Sequence, residues 1–396
     1  MLKKSLKLSI IASILLGTSL YSADGFDDEF SDDGFGGAEE IIIVKKEPKK
    51  PYSIYGNLKV SSSYNIAKDE GISSSKLSTN THFDYDINDN IKFKSTLNAY
   101  KDNSSGVKDD YDIDLNEAYL RAKVSSKIDV TIGRQIVVWG KSDNIRITDT
   151  INPMDLTTPG MTDIKDLRLG RVMSKIDYAT SNDWDISAML LHENRYSTMP
   201  EVGSEYYMPV RFPNEASNSI KNTGFAISAS ASLKGQDIAF YVLNDYVDNS
   251  DYKTNMLGFA YNIVKGSYLF KVEASYFDNY DSNTAESKTD ALGGIEYTGF
   301  NDTTLSFEMA NKDDEIQYAL RATQSYINQT LDLTMLYNGY GKTLDGGGFL
   351  RVWADYDIND KFTSSFGIIN YIGGDKQNFE MIKDNDRIFA SLVYNF

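Results

Sequence analysis

From residue 52 onward, apolar and polar positions alternate in segments of roughly ten to thirteen residues, each bounded by Asn, Asp, Gly or Ser. Ile128-Asp129-Val130-Thr131-Ile132 and Leu331-Asp332-Leu333-Thr334-Met335 show the period clearly. A period of two is that of a strand with one buried and one solvated face. The pattern predicts strands near 52–64, 74–87, 91–101, 112–124, 128–138, 167–180, 184–193, 221–233, 236–246, 252–264, 267–279, 288–298, 303–311, 314–326, 329–338, 347–358, 361–371 and 385–396. That is about eighteen; 236–246 and 361–371 alternate poorly, so sixteen is the other count the pattern allows. Connections alternate in length. Tight turns fall near residues 88, 125, 181, 234, 265, 300, 328 and 359, and the intervening connections are longer and often acidic.

Short turns opposite long loops are the signature of a transmembrane antiparallel up-and-down β-barrel, whereas a soluble sandwich has no reason to alternate its turns. The average hydropathy is that of a soluble protein, but a barrel hides its apolar face inside an alternating pattern. The N-terminus agrees with export. Lys3, Lys4 and Lys7 precede an apolar run from Leu8 to Gly17, and Ser22 and Ala23 offer a cleavage point, so 1–23 reads as a signal peptide. Beyond it no run approaches the length of a transmembrane helix. The chain contains no cysteine, which excludes disulfides, thiol catalysis and zinc–thiolate sites. A net charge of -17, more negative once the leader's lysines are gone, argues against a nucleic-acid partner. Tyr394 and Phe396 end the chain on an aromatic strand that resembles the signal read by the barrel-assembly machinery of the bacterial outer membrane. The expected organisation is a leader (1–23), a disordered acidic periplasmic tail (24–51) and a barrel (52–396) set among outer-membrane lipid and lipopolysaccharide.

Strand parity sorts side chains between lipid and lumen. It points Lys92, Lys94, Arg121, Lys123, Arg171 and Lys175 inward as a basic wall. Glu273, Glu296, Glu308, Asp332 and Asp355, with Arg321 and Arg351 among them, are inward elsewhere. Arg134 conflicts with this scheme, because it shares a face with Ile128, Val130, Ile132 and Ile136. Either a bulge at Gly133 turns it inward, where Arg134 joins the basic wall as a selectivity residue, or it stands above the bilayer. The basic wall favours anions, and opposed charge walls would orient dipolar solutes. The bland reading is that a polar lumen carries paired charges for stability.

The longest connection, 139–166, contains two prolines and an apolar run from Ile145 to Ile151, so it should pack inside the barrel mouth as a constriction. Trp139, Asp149, Asn152 and Pro153 are its candidate residues. Here Gly133-Arg134-Gln135, Trp139-Gly140, Asp149 and Ile151-Asn152-Pro153 resemble the signature stretch of a family of bacterial outer-membrane proteins catalogued only as a domain of unknown function and grouped with porin-like barrels. The resemblance covers roughly residues 128–171 and implies fold and compartment rather than a solute. In the tail, Glu40-Ile41-Ile42-Ile43-Val44 resembles the box through which energised outer-membrane receptors recruit an inner-membrane coupling partner by strand addition. Such a stretch is more often a plain linker or an extra strand, and no plug domain separates it from the first strand.

His82 and His192 lie on separate strands without carboxylates at ligand spacing, and there is no G-x-S-x-G, H-E-x-x-H or P-loop motif. No enzyme activity, metal or cofactor is expected. The sequence therefore reads as a porin or channel for small, anionic or dipolar hydrophilic solutes. The alternatives are a component that docks a periplasmic or inner-membrane transport partner through its tail, and a structural outer-membrane anchor.

Overall fold

A computed structural model describes residues 50–396 except 68–70, 104–110, 210–212, 248 and 279–285. The leader, nearly all of the tail and the candidate docking stretch from Glu40 to Val44 lie outside the described residues.

The alternating segments form eighteen strands. They are β1 (Tyr52–Asn65), β2 (Gly71–Asn88), β3 (Ile91–Asp102), β4 (Tyr111–Lys123), β5 (Ile128–Gln135), β6 (Arg171–Ala179), β7 (Trp184–Leu191), β8 (Gly224–Leu233) and β9 (Gln236–Tyr246). The second half comprises β10 (Lys253–Lys265), β11 (Tyr268–Asp278), β12 (Lys288–Phe300), β13 (Thr303–Lys312), β14 (Glu315–Tyr326), β15 (Leu331–Tyr340), β16 (Gly347–Asn359), β17 (Phe362–Ile372) and β18 (Arg387–Asn395). Every strand pairs antiparallel with its neighbours in the chain, and β1 pairs with β18, so the sheet closes on itself. Closure leaves no strand edge with unpaired backbone groups. At the seam, the Gly56 and Phe396 backbones exchange two hydrogen bonds of 3.0 Å each.

The two faces follow the pleat. In β13, Leu305, Phe307 and Met309 are exposed outward while Ser306, Glu308 and Ala310 are buried inward. An apolar outer band over a polar interior is the surface of a membrane-spanning barrel. Among the described residues no helix is long and apolar enough to cross a membrane.

The two poorly alternating segments are strands β9 and β17, and the reason is packing. In β9, Ala239, Tyr241 and Leu243 point inward into an apolar cluster, while Phe240 and Val242 are exposed outward. In β17, Ile369 and Tyr371 are buried inward and Phe366 and Ile368 are exposed. Both faces are apolar because each inner face is covered by chain that folds into the lumen.

Turn lengths alternate with one exception. The short turns use residues that tolerate a left-handed backbone, among them Asp183, Gly235, Gly266 and Asp302. On the opposite rim, however, β13 and β14 are joined by Asp313 and Asp314 alone, both at positive φ, so the strict alternation expected from sequence breaks there. The expected strands 128–138 and 167–180 are also shorter in fact, ending at Gln135 and starting at Arg171. From Ile136 the backbone leaves the wall: its N–H donates to Glu117 Oε1 at 3.1 Å, and that of Val137 to Asn152 Oδ1 at 2.9 Å.

A Cβ on Gly56 would lie 2.2 Å from the Asn80 carbonyl oxygen on β2. Gly56→Val should therefore obstruct the β1–β2 pairing beside the seam, and the fraction of protein migrating as a compact barrel in unheated electrophoresis should fall well below that of the native chain.

Candidate functional site

The segment between β5 and β6, residues 136–170, folds into the lumen, as its apolar run and prolines require. Asn152 clasps its two ends: Oδ1 accepts the Val137 N–H, and Nδ2 donates to the Leu169 carbonyl at 2.8 Å. The Pro153 carbonyl accepts the Leu169 N–H at 2.8 Å. Trp139 stacks on Tyr241 of β9 with ring centroids 4.7 Å apart, and with Ile151 it packs among inward residues of β6 to β11. Asp149 is buried between Arg168, whose Nε donates at 2.8 Å, and Arg146. Arg171, the first residue of β6, is buried against Asp245 of β9 and donates to the Ile151 carbonyl at 3.3 Å.

Two carboxylates on the far wall hold the loop backbone. Glu273 on β11 is fully buried and accepts the N–H groups of Lys141, of Ser142 at 2.6 Å and of Thr148 at 3.2 Å, besides the Thr148 hydroxyl at 2.9 Å. Glu308 on β13 accepts those of Asp143, Asn144 and Ile145 at 2.8, 2.9 and 3.1 Å. Irregular backbone deep inside a barrel must satisfy its N–H groups somewhere, and charged acceptors make the stronger bonds. Gly140 permits this approach, since a Cβ there would lie 2.9 Å from a Glu273 oxygen.

A second segment, seen in residues 197–206, also enters the lumen, and the hydrophobic pattern of the sequence gave no sign of it. Its Thr198 exchanges backbone hydrogen bonds of 2.8 Å with Met154 and Leu156 of the first loop. The buried Tyr206 hydroxyl lies 2.9 Å from that of Tyr371, and burial pushes its pKa up to about 12. Glu205 pairs with Arg387 of β18 at 2.9 Å.

The two loops fill the side of the lumen toward β6–β13 and leave a cavity of about 940 Å³ against β1–β4 and β14–β18. Its lining includes the serines Ser61, Ser63, Ser73 and Ser78, the aromatics Tyr100 and Trp353, and charges of both signs. Three arginines stand in one register row across β14 to β18: Arg321 faces Leu336, which faces Arg351, which faces Ile369, which faces Arg387. Asp163 from the first loop bridges Arg321 at 2.8 Å and Arg351. Both guanidinia lie over the Trp353 ring, at 5.4 and 4.0 Å from its centroid. Burial alone would raise the Asp163 carboxyl, but Arg351 and Arg321 outweigh it and hold it below the ordinary aspartate value.

In sequence the chain matches the family described as "Protein of unknown function (DUF1302)" over residues 55–310, more than half its length. The chain belongs to the DUF1302 family. No curated protein matches it in sequence. In structure this DUF1302 protein is similar to Acinetobacter baumannii OccAB3, with a TM-score of 0.57 at 11% identity over 87% of this chain and 99% of that one. Lower similarity extends to Salmonella typhi OmpF in complex with daunomycin, at TM-score 0.48 and 10% identity over 87% and 97% of the two chains. It extends also to a mutant Rh. blastica porin, at 0.44 and 15% over 87% and 100%. The OccAB3 likeness supports a porin-type fold.

The basic residues singled out from the DUF1302 sequence occupy other places than the cavity lining. Lys92, Lys94 and Arg121 face inward near the short turns, each paired with an acid on the adjacent strand: Asp86 at 3.1 Å, Asp84 at 3.1 Å, and Asp129. Lys175 pairs with Asp177 at 2.7 Å, and Lys123 shares the inward face of β4 with Arg121. Arg171 is consumed by the loop anchor. At Arg134 the ladders to β4 and β6 run without a register shift, so Gly133, despite its positive φ, makes no bulge that turns the side chain inward. Arg134 shares the outward face with Ile132 and pairs with Glu193 just beyond β7, at the rim where the long loops begin. His82 stacks on Tyr55 and bonds Thr96 at 3.0 Å, and His192 bonds Ser174 at 2.9 Å. No metal-ligating cluster occurs among the described residues.

Glu273→Ala with Glu308→Ala should orphan six loop N–H groups, each at a cost of about 1–3 kcal/mol. We expect the strand scaffold to survive, the loop to become cleavable by protease, and single-channel conductance to rise severalfold. The depressed Asp163 carboxyl contributes docking stability that is complete above the unfolded aspartate value, about pH 4. It is lost as pH falls through the lower folded value. Proteolytic protection of 157–166 should hold from neutral pH to about 4 and collapse below, whereas in Asp163→Asn it should be weak throughout.

Proposed function

We propose that this chain is an outer-membrane channel for small hydrophilic solutes, not an enzyme, whose aperture is set by the two infolded loops. The observation that carries this reading is the polar cavity of about 940 Å³ between those loops and the wall β1–β4 and β14–β18. A closed barrel with an apolar outer band and a hydrated, narrowed interior has the physical form of a diffusion pore. The outer membrane is the compartment that accepts such barrels, with lipid and lipopolysaccharide around the band. Tyr394 and Phe396, at the closing seam, are the segment we assign to the assembly machinery.

Of the two solute classes suggested by sequence, the lining favours the dipolar one. Six basic and eight acidic side chains border the cavity. Fields from such mixed walls orient a dipole more than they attract an anion.

In planar bilayers the purified chain should give ohmic steps with weak preference between potassium and chloride. Liposomes containing it should swell faster in small zwitterions and sugars than in organic anions of the same mass. Absence of conductance at every voltage would overturn the reading.

A further inference from the structure

The charges along β14–β18 are arranged in tiers rather than on opposite walls. The upper tier is the arginine row Arg321, Arg351 and Arg387. Two rows nearer the short turns, Ser325 faces Asp332, Asp332 faces Asp355, and Asp355 faces Ser365. Asp332 and Asp355 are directly opposed like charges, an arrangement that destabilises a sheet. Among the described residues neither forms an ion pair: Asp332 accepts from the Ser325 hydroxyl at 2.5 Å, and Asp355 from Trp353 Nε1 at 2.9 Å and the Ser365 hydroxyl at 2.6 Å. Both border the cavity, and the lysine of that tier, Lys76, stands four strands away across the seam. The tier is a cation position that the protein leaves open.

The upper tier has the opposite character. One carboxylate, Asp163, serves two guanidinia, and Arg321 spends only Nη1 on it while its side chain stays partly exposed to the cavity. Arg351 is buried and its Nε has no acceptor. Both guanidinia lie over the Trp353 ring, and a guanidinium carries its donors in the fork geometry that carboxylates match. Asp163 shows the chemistry that fits there, because a loop carboxylate already occupies it.

Resting on the channel reading, we propose that this wall binds an extended zwitterion, its carboxylate at Arg321 and Arg351 in exchange with Asp163, and its ammonium at Asp332 and Asp355. Four residues along β16 separate Arg351 from Asp355, about 13 Å at the rise of a strand, which the reach of the arginines shortens. The solute class is therefore one with several bonds between its charges, not an α-amino acid engaging both tiers at once. A dianion meets the aspartates, and a simple monoanion gains nothing from them.

The test uses the full-length chain folded in detergent, titrated calorimetrically with ε-aminohexanoate, hexanoate and adipate, so that binding is read independently of conduction. The zwitterion should bind about tenfold more tightly than either anion. Arg321→Gln and Asp355→Asn should each remove that advantage, with Arg321→Lys restoring part of it. Asp163→Asn should strengthen binding, because it removes the internal competitor. Equal affinity for the three probes, or a zwitterion preference untouched by both Arg321→Gln and Asp355→Asn, would overturn the proposal. If the probes behave as expected but bilayers show no conductance, the channel reading fails while the binding site stands. Conductance without discrimination among the probes removes the binding site and leaves the channel standing.

Discussion

Everything distinctive about this barrel depends on a problem of backbone hydrogen bonding. A segment of some thirty residues with little regular structure cannot sit inside a closed sheet unless its N–H groups find acceptors there. Glu273 and Glu308 supply them, each from a position where the strand pleat already points inward. With those anchors in place the rest follows: Trp139 reaches Tyr241, Arg171 reaches Asp245, Asp163 reaches the arginines of β14 and β16, and the second loop zips onto the first through Thr198. The cavity is what remains.

The fold was legible because period-two patterning and turn chemistry are local signals. They located all eighteen strands, and they failed at a few places, most of them where the local rule met a tertiary event. β9 and β17 looked doubtful because their inner faces serve as an apolar floor for infolded chain. β5 and β6 looked too long because the apolar character of Ile136 to Val138 belongs to the loop. The turn between β13 and β14 broke the expected alternation because two aspartates with positive φ suffice to reverse the chain.

The site was legible in part. Parity placed Glu273, Glu308, Arg321, Arg351, Asp332 and Asp355 inward, and the long loop announced itself by length, prolines and isoleucines. Parity says which face a charge occupies, not what neutralises it. Lys92, Lys94, Arg121 and Lys175 are paired with acids on their own or adjacent strands, and such pairing depends on cross-strand register, which no single strand reveals. For the same reason the tiers of arginine and aspartate emerge only when β14 to β18 are laid side by side. The second loop is nearly as long and holds Pro200, Pro209 and Pro213, but it lacks an isoleucine run: its stretch is rich in Asn, Ser and Glu, the texture of a solvent-exposed connection.

The asymmetric filling of the lumen has a consequence for how such a molecule can change over evolutionary time. In an empty barrel, circumference and bore are one quantity, and altering either means adding a hairpin and resetting the stagger of the whole sheet. Here the eighteen strands fix the footprint in the membrane, while two insertions, anchored by a handful of side chains, fix the bore. The bore can be retuned residue by residue without disturbing a single strand pairing, so one scaffold can hold cavities of many shapes.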